Sequence, residues 1–200
     1  MSLIAIADCD QTFSLLKHIY ASAQSAWASS SENEGSLHSE RSALLAPGVQ
    51  SPVITLLNDQ NNSPDIDILV LNSVSESADS YAASLKEGGF LLLNADEKPA
   101  KRKIKLKSAI PISYGFDSKS SITSSSISHG AHKTMQICIQ RPIPTVLGKT
   151  VMEQEFSIRI ASKEINDHSI LAAVTAAIVN DFPPGAFSFL HILLHQLNLA

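Results

Sequence analysis

Two histidines of the sequence, His191 and His195, have the spacing that most directly suggests a metal site. Residues four apart lie on one face of an α-helix, so the two imidazoles could bind one zinc ion. No glutamate follows His191, and the pattern offers no third ligand. The two cysteines, Cys9 and Cys138, are too few for a disulfide framework or a cysteine-rich zinc cluster. The pattern therefore favours surface histidines and inert thiols in a reducing cytoplasm over a metal or redox centre.

A dense basic run is the other feature whose residue types could do chemistry, because lysine and arginine bind phosphate groups. No aromatic residue lies between its cations, and the net charge of the whole chain is −4. These facts favour a solvated edge over a nucleic-acid surface, which remains the alternative. The run consists of Lys98, Lys101, Arg102, Lys103, Lys105 and Lys107.

The composition is that of a globular protein of one large domain. The chain has 200 residues, of which 44% are hydrophobic and 17% charged. This balance is too apolar for general disorder. The longest apolar stretches fall short of the roughly 20 residues that span a bilayer. We therefore expect a cytoplasmic protein that binds neither membranes nor nucleic acids.

The first part of the chain alternates between short apolar segments and helical patterns. Wholly apolar segments are typical of strands that are covered on both faces of a parallel sheet. Such an alternation of strands and helices predicts a doubly wound α/β fold. The predicted strands are residues 3–7, 53–57, 66–71, 90–93 and 110–114, and the predicted helices are residues 11–27 and 77–86.

The second part of the chain has a different pattern of apolar and polar residues. Apolar and polar residues alternate between about residues 120 and 162, which predicts a small antiparallel β subdomain inserted in the domain. Two helices are predicted at 167–180 and 184–197, and the Ser-rich residues 28–51 are predicted to be a long loop. The whole chain, 1–200, is thus expected to form a single three-layer α/β domain with a mostly parallel sheet.

Four strings of the sequence, in this order, resemble the central, ATP-binding domain of the Mur ligase family, which joins amino acids to nucleotide-linked cell-wall precursors. Each string is short, but together they span nearly the whole chain. The resemblance implies the P-loop type of α/β fold found in that domain. The strings are PDIDILVLN at 64–72, GGFLLLNADE at 88–97, ISYGF at 112–116 and HSILAAVTAA at 168–177.

The resemblance also implies an ATP site, since the family holds the phosphates of ATP in a glycine-rich loop that follows the first strand. Here residues 7–13 read ADCDQTF, with neither glycine nor lysine. Asp8 and Asp10 would place negative charge where the phosphates should lie. Thr12 could still supply the hydroxyl that reaches magnesium. The nucleotide contacts that the resemblance implies are Asp10, Gln11, Thr12 and His168.

The metal-binding positions of the family have changed as well. Residues 73–79 read SVSESAD where the family carries an Asp-His pair. Glu76 could hold a cation together with Thr12, or it could be a helix cap or a solvated carboxylate. In the string that begins at His168, Ser169 and Ala172 replace two asparagines of the family, so His168 is either a nucleotide contact or a structural histidine.

These changes lead to two functional hypotheses. The first is a degenerate, non-catalytic Mur-ligase-like domain that acts as a binding or scaffolding module and needs no cofactor. The alternative is an ATP-dependent amide ligase fragment, or a nucleotide-binding subunit, that uses Mg-ATP and works with separate chains.

The end of the sequence predicts association with a partner. The predicted helix at 184–197 is apolar around more of its surface than one side of a sheet can cover. We expect a homodimer or a hetero-complex through this helix, with a fully intramolecular core helix as the alternative. The residues that would form the interface are Phe187, Leu190, Leu193, Leu194 and Leu197.

Overall fold

A computed structural model describes residues 2–7, 9–30, 51–57, 65–73, 77–97, 108–161, 164–189 and 191–192 of the protein. These residues form an α/β domain around one sheet of nine strands. The predicted α/β fold class is confirmed.

The parallel half of the sheet contains the first five strands. Their bounds are β1 Leu3–Ala7, β2 Val53–Leu57, β3 Ile66–Leu71, β4 Leu85–Asn94 and β5 Ile110–Tyr114. Every neighbouring pair among them is parallel, so their carboxyl ends meet at one edge of the sheet. The predicted positions of these strands are confirmed, apart from the start of β4.

The antiparallel strands expected in the second half continue this sheet. Strands β6 (Ile122–His129), β7 (Lys133–Ile139) and β10 (Gln154–Ile160) form two antiparallel ladders, and β6 joins β5 at the pair Tyr114 and Ile122. Strand β11 (His191–Ile192) lies parallel to β10. The order of strands across the sheet is β11-β10-β7-β6-β5-β4-β3-β1-β2. A separate two-stranded antiparallel sheet consists of β8 (Ile143–Pro144) and β9 (Thr150–Val151).

Helices cover both faces of the parallel strands. Helix α1 (Asp10–Ser30) and helix α3 (Asp167–Val179) pack against each other on one face. The short helix α2 (Ala78–Ala83) packs on the opposite face, where Ala78 and Tyr81 are buried against the strands. The order is therefore helix, sheet, helix. No helix in the described parts of the chain has the length and apolar content needed to cross a membrane.

The predicted helix at 184–197 is wrong where the structure describes it. Residues Pro184–Phe189 form a 3-10 helix, and strand β11 follows. The reason is tertiary packing. The ring of Phe187 is fully buried, 5.2 Å from the ring centroid of Phe156 and 4.8 Å from that of Phe182. Leu190, Leu193, Leu194 and Leu197 lie outside the described residues.

The helix predicted at 77–86 is shorter in the structure. Helix α2 ends at Ala83, and the tandem glycines at 88 and 89 lie inside β4. The register between β3 and β4 shifts at this point, so the pair forms a bulge. Gly88 has a φ of +71°, a backbone conformation that glycine adopts at little cost. Most of the predicted loop at 28–51 lies outside the described residues.

The packing of Phe187 gives a stability prediction. Replacing Phe187 with alanine should lower the free energy of unfolding by about 3 kcal/mol, because it removes a buried ring and leaves a cavity. The matched control is Leu147→Ala, since the Leu147 side chain is 62% exposed and its truncation should change stability by less than about 0.5 kcal/mol. Urea unfolding of both variants measures the difference, and equal losses would contradict the packing described above.

Candidate functional site

A cavity of about 380 Å³ opens at the carboxyl ends of the parallel strands. Ligands of open α/β sheets bind in such crevices, outside the carboxyl ends of the strands. Here the cavity lies between the ends of β1, β3 and β4 and the amino-terminal turns of α1 and α3. The residues that line it have polar side chains: Cys9, Gln11, Asn72, Ser73, Asn94, Asp96, Glu97, Asn166, His168 and Ser169.

The floor of the cavity is a hydrogen-bond network centred on Asn72, directly after β3. The Asn72 side chain accepts a hydrogen bond from the Tyr114 hydroxyl at 2.7 Å and donates to the Thr12 hydroxyl at 3.2 Å. The amide of Asn94 donates to the backbone oxygen of Asn72 at 3.4 Å. The Cys9 thiol lies 3.0 Å from the Thr12 hydroxyl. This network connects the ends of β1, β3, β4 and β5.

Tyr114 contributes to the floor as a neutral hydrogen-bond donor. Its side chain is fully buried, and burial raises the pKa of the Tyr114 hydroxyl far above its ordinary value. The hydroxyl also lies 3.2 Å from the backbone oxygen of Leu71, a second acceptor. The buried oxygen atoms at the end of β3 therefore have a donor at any physiological pH.

One wall of the cavity is built around the carboxylate of Asp96, in the loop after β4. The backbone N–H groups of Phe116 and Asp117 donate to it at 2.6 and 2.7 Å, and the imidazole Nε2 of His168 lies 2.8 Å from it. Burial alone would raise the pKa of Asp96, but the hydrogen bonds from Phe116, His168 and Asp117 outweigh burial and lower it. Asp96 is therefore held as an anion.

A glycine makes this arrangement possible. Gly115 has a φ of +143°, and a Cβ atom at this position would lie 2.6 Å from the Asp96 carboxylate. Any other residue would both strain the backbone and push the carboxylate away from the two N–H groups. The sequence ISYGF thus contains a residue that the Asp96 site requires.

Side chains of β7 and α1 hold the first turn of α3 in place. Lys133 on β7 is buried, and its ammonium group donates to the backbone oxygen of Ile165 at 2.5 Å and to the carboxylate of Asp167 at 2.7 Å. Asn166 caps the helix by accepting a hydrogen bond from the N–H of His168. The side chain of Gln11 accepts one from the N–H of Asn166. These contacts place His168 and Ser169 at the cavity.

The charge of the lining is negative. Asp96 and Glu97 are its carboxylates, and no lysine or arginine is among the described residues that line it. Within the described parts of the chain the Glu97 carboxylate has no hydrogen-bond or ion-pair partner. The N-terminal ends of α1 and α3 point positive helix dipoles toward the same region and offset part of this charge.

The structure brings together only part of the predicted site. Gln11 and His168 line the cavity, whereas Asp10 is exposed at the start of α1. Thr12 is fully buried beneath the cavity, and its hydroxyl is used in the floor network. Glu76 lies outside the described residues. No group of three or more potential metal-binding side chains occurs among the residues that the structure describes.

Sequence reasoning did not assign Asn72, Asn94, Asp96 or Tyr114 to a site, although all four stand in the strings quoted above. Their positions in the sequence could have indicated a site, because each of these four residues lies at or just after the end of an apolar strand. Parallel strands bring such positions to one edge of a sheet.

Comparisons with known proteins establish the fold. No protein-family model matches the chain, and no curated protein matches its sequence. Among solved structures, a UDP-N-acetylmuramoyl-L-alanyl-D-glutamate–2,6-diaminopimelate ligase matches with a TM-score of 0.57 and 14% identity, over 98% of this chain and 47% of its own. MurF from Acinetobacter baumannii matches with a TM-score of 0.57 and 12% identity, over 98% of this chain and 48% of its own.

A third match is UDP-N-acetylmuramoylalanyl-D-glutamyl-2,6-diaminopimelate–D-alanyl-D-alanyl ligase from Acinetobacter baumannii. Its TM-score is 0.58 and its identity 10%, over 96% of this chain and 46% of its own. The chain therefore spans about half the length of the Mur ligase structures that it matches. The expected Mur-ligase-like fold is confirmed.

The Asp96 site predicts how stability depends on pH. The pKa of Asp96 in the folded protein is below its ordinary value of 3.8, so the carboxylate stabilises the fold above about pH 4. That stabilisation should disappear as the pH falls through the lowered pKa of the folded state. Wild-type protein should therefore lose more stability between pH 5 and pH 3 than the Asp96→Asn variant.

Urea unfolding at several pH values in this range measures the effect. Glu97→Gln is the matched control, because it removes a neighbouring carboxylate of the same loop that has no described partner. Its acid profile should be that of the wild type. An Asp96→Asn profile parallel to that of the wild type would show that the contacts of Asp96 do not stabilise the fold.

Proposed function

We propose that this protein is a Mur-ligase-like domain that has lost amide-bond formation and acts as a binding or scaffolding module. The observation that carries the proposal is the connection between β1 and α1. Only residues 8 and 9 separate Ala7 at the end of β1 from Asp10 at the start of α1. A loop that binds the phosphates of a nucleotide surrounds them with several consecutive backbone N–H groups and a lysine, and two residues are too few for this.

The burial and the contacts of Thr12 support the same proposal. It is the one hydroxyl in the turn that could reach a magnesium ion, and it is fully buried. Its oxygen accepts a hydrogen bond from Asn72 and contacts the thiol of Cys9. Releasing it for a metal ion would break both contacts and leave the half-buried Asn72 amide without this acceptor.

The cavity itself supports a binding role. Its lining offers hydroxyl, amide and carboxylate groups that can make hydrogen bonds to a small polar ligand, and the Glu97 carboxylate has no partner among the described residues. We place the protein in the cytoplasm, where the free thiols of Cys9 and Cys138 would stay reduced.

The alternative is an ATP-dependent amide ligase fragment that works with separate chains. It gains support from Gln11 and His168, two expected nucleotide contacts that do line the cavity. The fold likeness to ligases of about twice this length is compatible with both proposals.

Binding of Mg-ATP separates the two functions. A ligand at 100 times its Kd stabilises a protein by about 2.7 kcal/mol, which shifts its melting temperature by several degrees. We expect millimolar Mg-ATP to leave the melting temperature unchanged. A shift that is present in the wild type and lost in both Gln11→Ala and His168→Ala would overturn the non-catalytic proposal. A shift that persists in both variants would place the nucleotide elsewhere.

We also propose that the chain associates through the apolar residues after the 3-10 helix. Phe187 does not belong to this surface, because it is buried in the core. The proposal rests on Leu190, Leu193, Leu194 and Leu197, whose apolar character is independent of the helix first predicted for them.

Light scattering at micromolar concentration tests this association. We expect an oligomeric wild type and a monomeric Leu193→Asp, Leu197→Asp double variant. Leu147→Asp is the control for a charge introduced at an exposed leucine, and it should leave the oligomer intact. A wild type that is monomeric would contradict self-association.

A further inference from the structure

Three segments of the chain meet at the Asp96 carboxylate. The loop after β4 carries Asp96, the loop after β5 donates the N–H groups of Phe116 and Asp117, and the first turn of α3 supplies His168. Among the described residues, the contact between His168 and Asp96 is the one polar contact that joins α3 to these two loops. The ring of Phe116 packs edge-on against the imidazole, with centroids 5.1 Å apart.

The same helix turn is also held by groups of a different kind. Lys133 donates to Ile165 and Asp167, and Gln11 accepts from Asn166 at the border of the cavity. None of these contacts involves a histidine. The turn is thus tied to β7 and α1 by other groups, and to the loops after β4 and β5 by an imidazole.

We propose that His168 and Asp96 form a proton-operated clasp that holds the first turn of α3 against the loops after β4 and β5, and so closes one side of the cavity. A neutral imidazole can donate one hydrogen bond to the carboxylate. A protonated imidazole donates a charge-assisted bond, which is roughly twice as strong. Histidine side chains change charge between about pH 5 and pH 8, so the clasp tightens on mild acidification.

Asp96 is suited to this role because it remains charged throughout that range. Its pKa is lowered by the hydrogen bonds described above, so the carboxylate stays ionised at pH 5. The oxygen of Asp96 that contacts His168 also accepts the N–H of Phe116. The contact with His168 thus fixes the position of the carboxylate to which the loop after β5 is bonded.

The charged groups on the elements around the imidazole are mostly acidic. Lys133 is paired with Asp167. The other titratable groups on these elements are Asp96, Glu97, Asp117, Asp10, the thiol of Cys9 and Lys119 in the loop after β5. Among the described residues, no lysine or arginine is paired with Asp96.

The effect of the clasp on a ligand rests on the binding function proposed above, whereas the clasp itself does not. Its test therefore uses the free protein. Amide hydrogen exchange is measured at pH 5.5 and pH 7.5 and corrected for the intrinsic dependence of exchange on pH. We expect the N–H groups of Phe116 and Asp117 to be at least about threefold better protected at pH 5.5.

Two variants and one control make the result decisive. His168→Gln and Asp96→Asn should each abolish the pH-dependent difference, while His129→Gln, at an exposed histidine, should retain it. Amides within β7 report whether a variant is still folded. Equal protection of the wild-type loop at the two pH values would overturn the proposal, and so would a difference that survives in His168→Gln. Failure of every ligand to bind would refute the binding function and leave this result unaffected.

Discussion

The arrangement of the cavity depends on one requirement, that the polar side chains at the carboxyl ends of the strands satisfy one another. Asn72 follows a core strand and lies in a half-buried position, where an amide without partners is unfavourable. Tyr114, Thr12 and Asn94 supply its partners, and each comes from a different segment. The ends of four strands are thus fixed relative to one another by a few hydrogen bonds. The cavity lies above this network, and the network sets the shape of its floor.

The same network accounts for the chemistry that we propose has been lost. Among the described residues near the cavity, the Thr12 hydroxyl and the N–H groups of Phe116 and Asp117 are groups that could contact a metal ion or a phosphate. Asn72 donates to Thr12, and the carboxylate of Asp96 accepts from the two N–H groups. These groups are thus used in contacts within the chain. Such a site gains stability from contacts that an anionic ligand would have to displace.

Most of the fold could be predicted from sequence because strands that are buried on both faces appear in the sequence as short runs of mostly apolar residues. The apolar runs at Leu3–Ala7 and Ile66–Leu71 could hardly be other than strands, and the alternation in Lys133–Ile139 indicates one exposed face. The errors arose where distant contacts override local pattern, as with the aromatic packing of Phe187. The site was harder for the same reason. Asn72 and Tyr114 are 42 residues apart, and only the order of the strands brings them together.

Helix α3 has different surroundings in its first turn and in the rest of its length. Residues 169–179 are all buried, and four of them are alanines whose small side chains allow the sheet and α1 to approach closely. A helix buried on every side cannot rotate or slide without opening the core. Its first turn, before residue 169, differs because its contacts are polar and partly exposed. Lys133 contacts that turn from β7 and His168 contacts Asp96, so the change of charge that we propose for His168 acts at the end of α3 that is not buried.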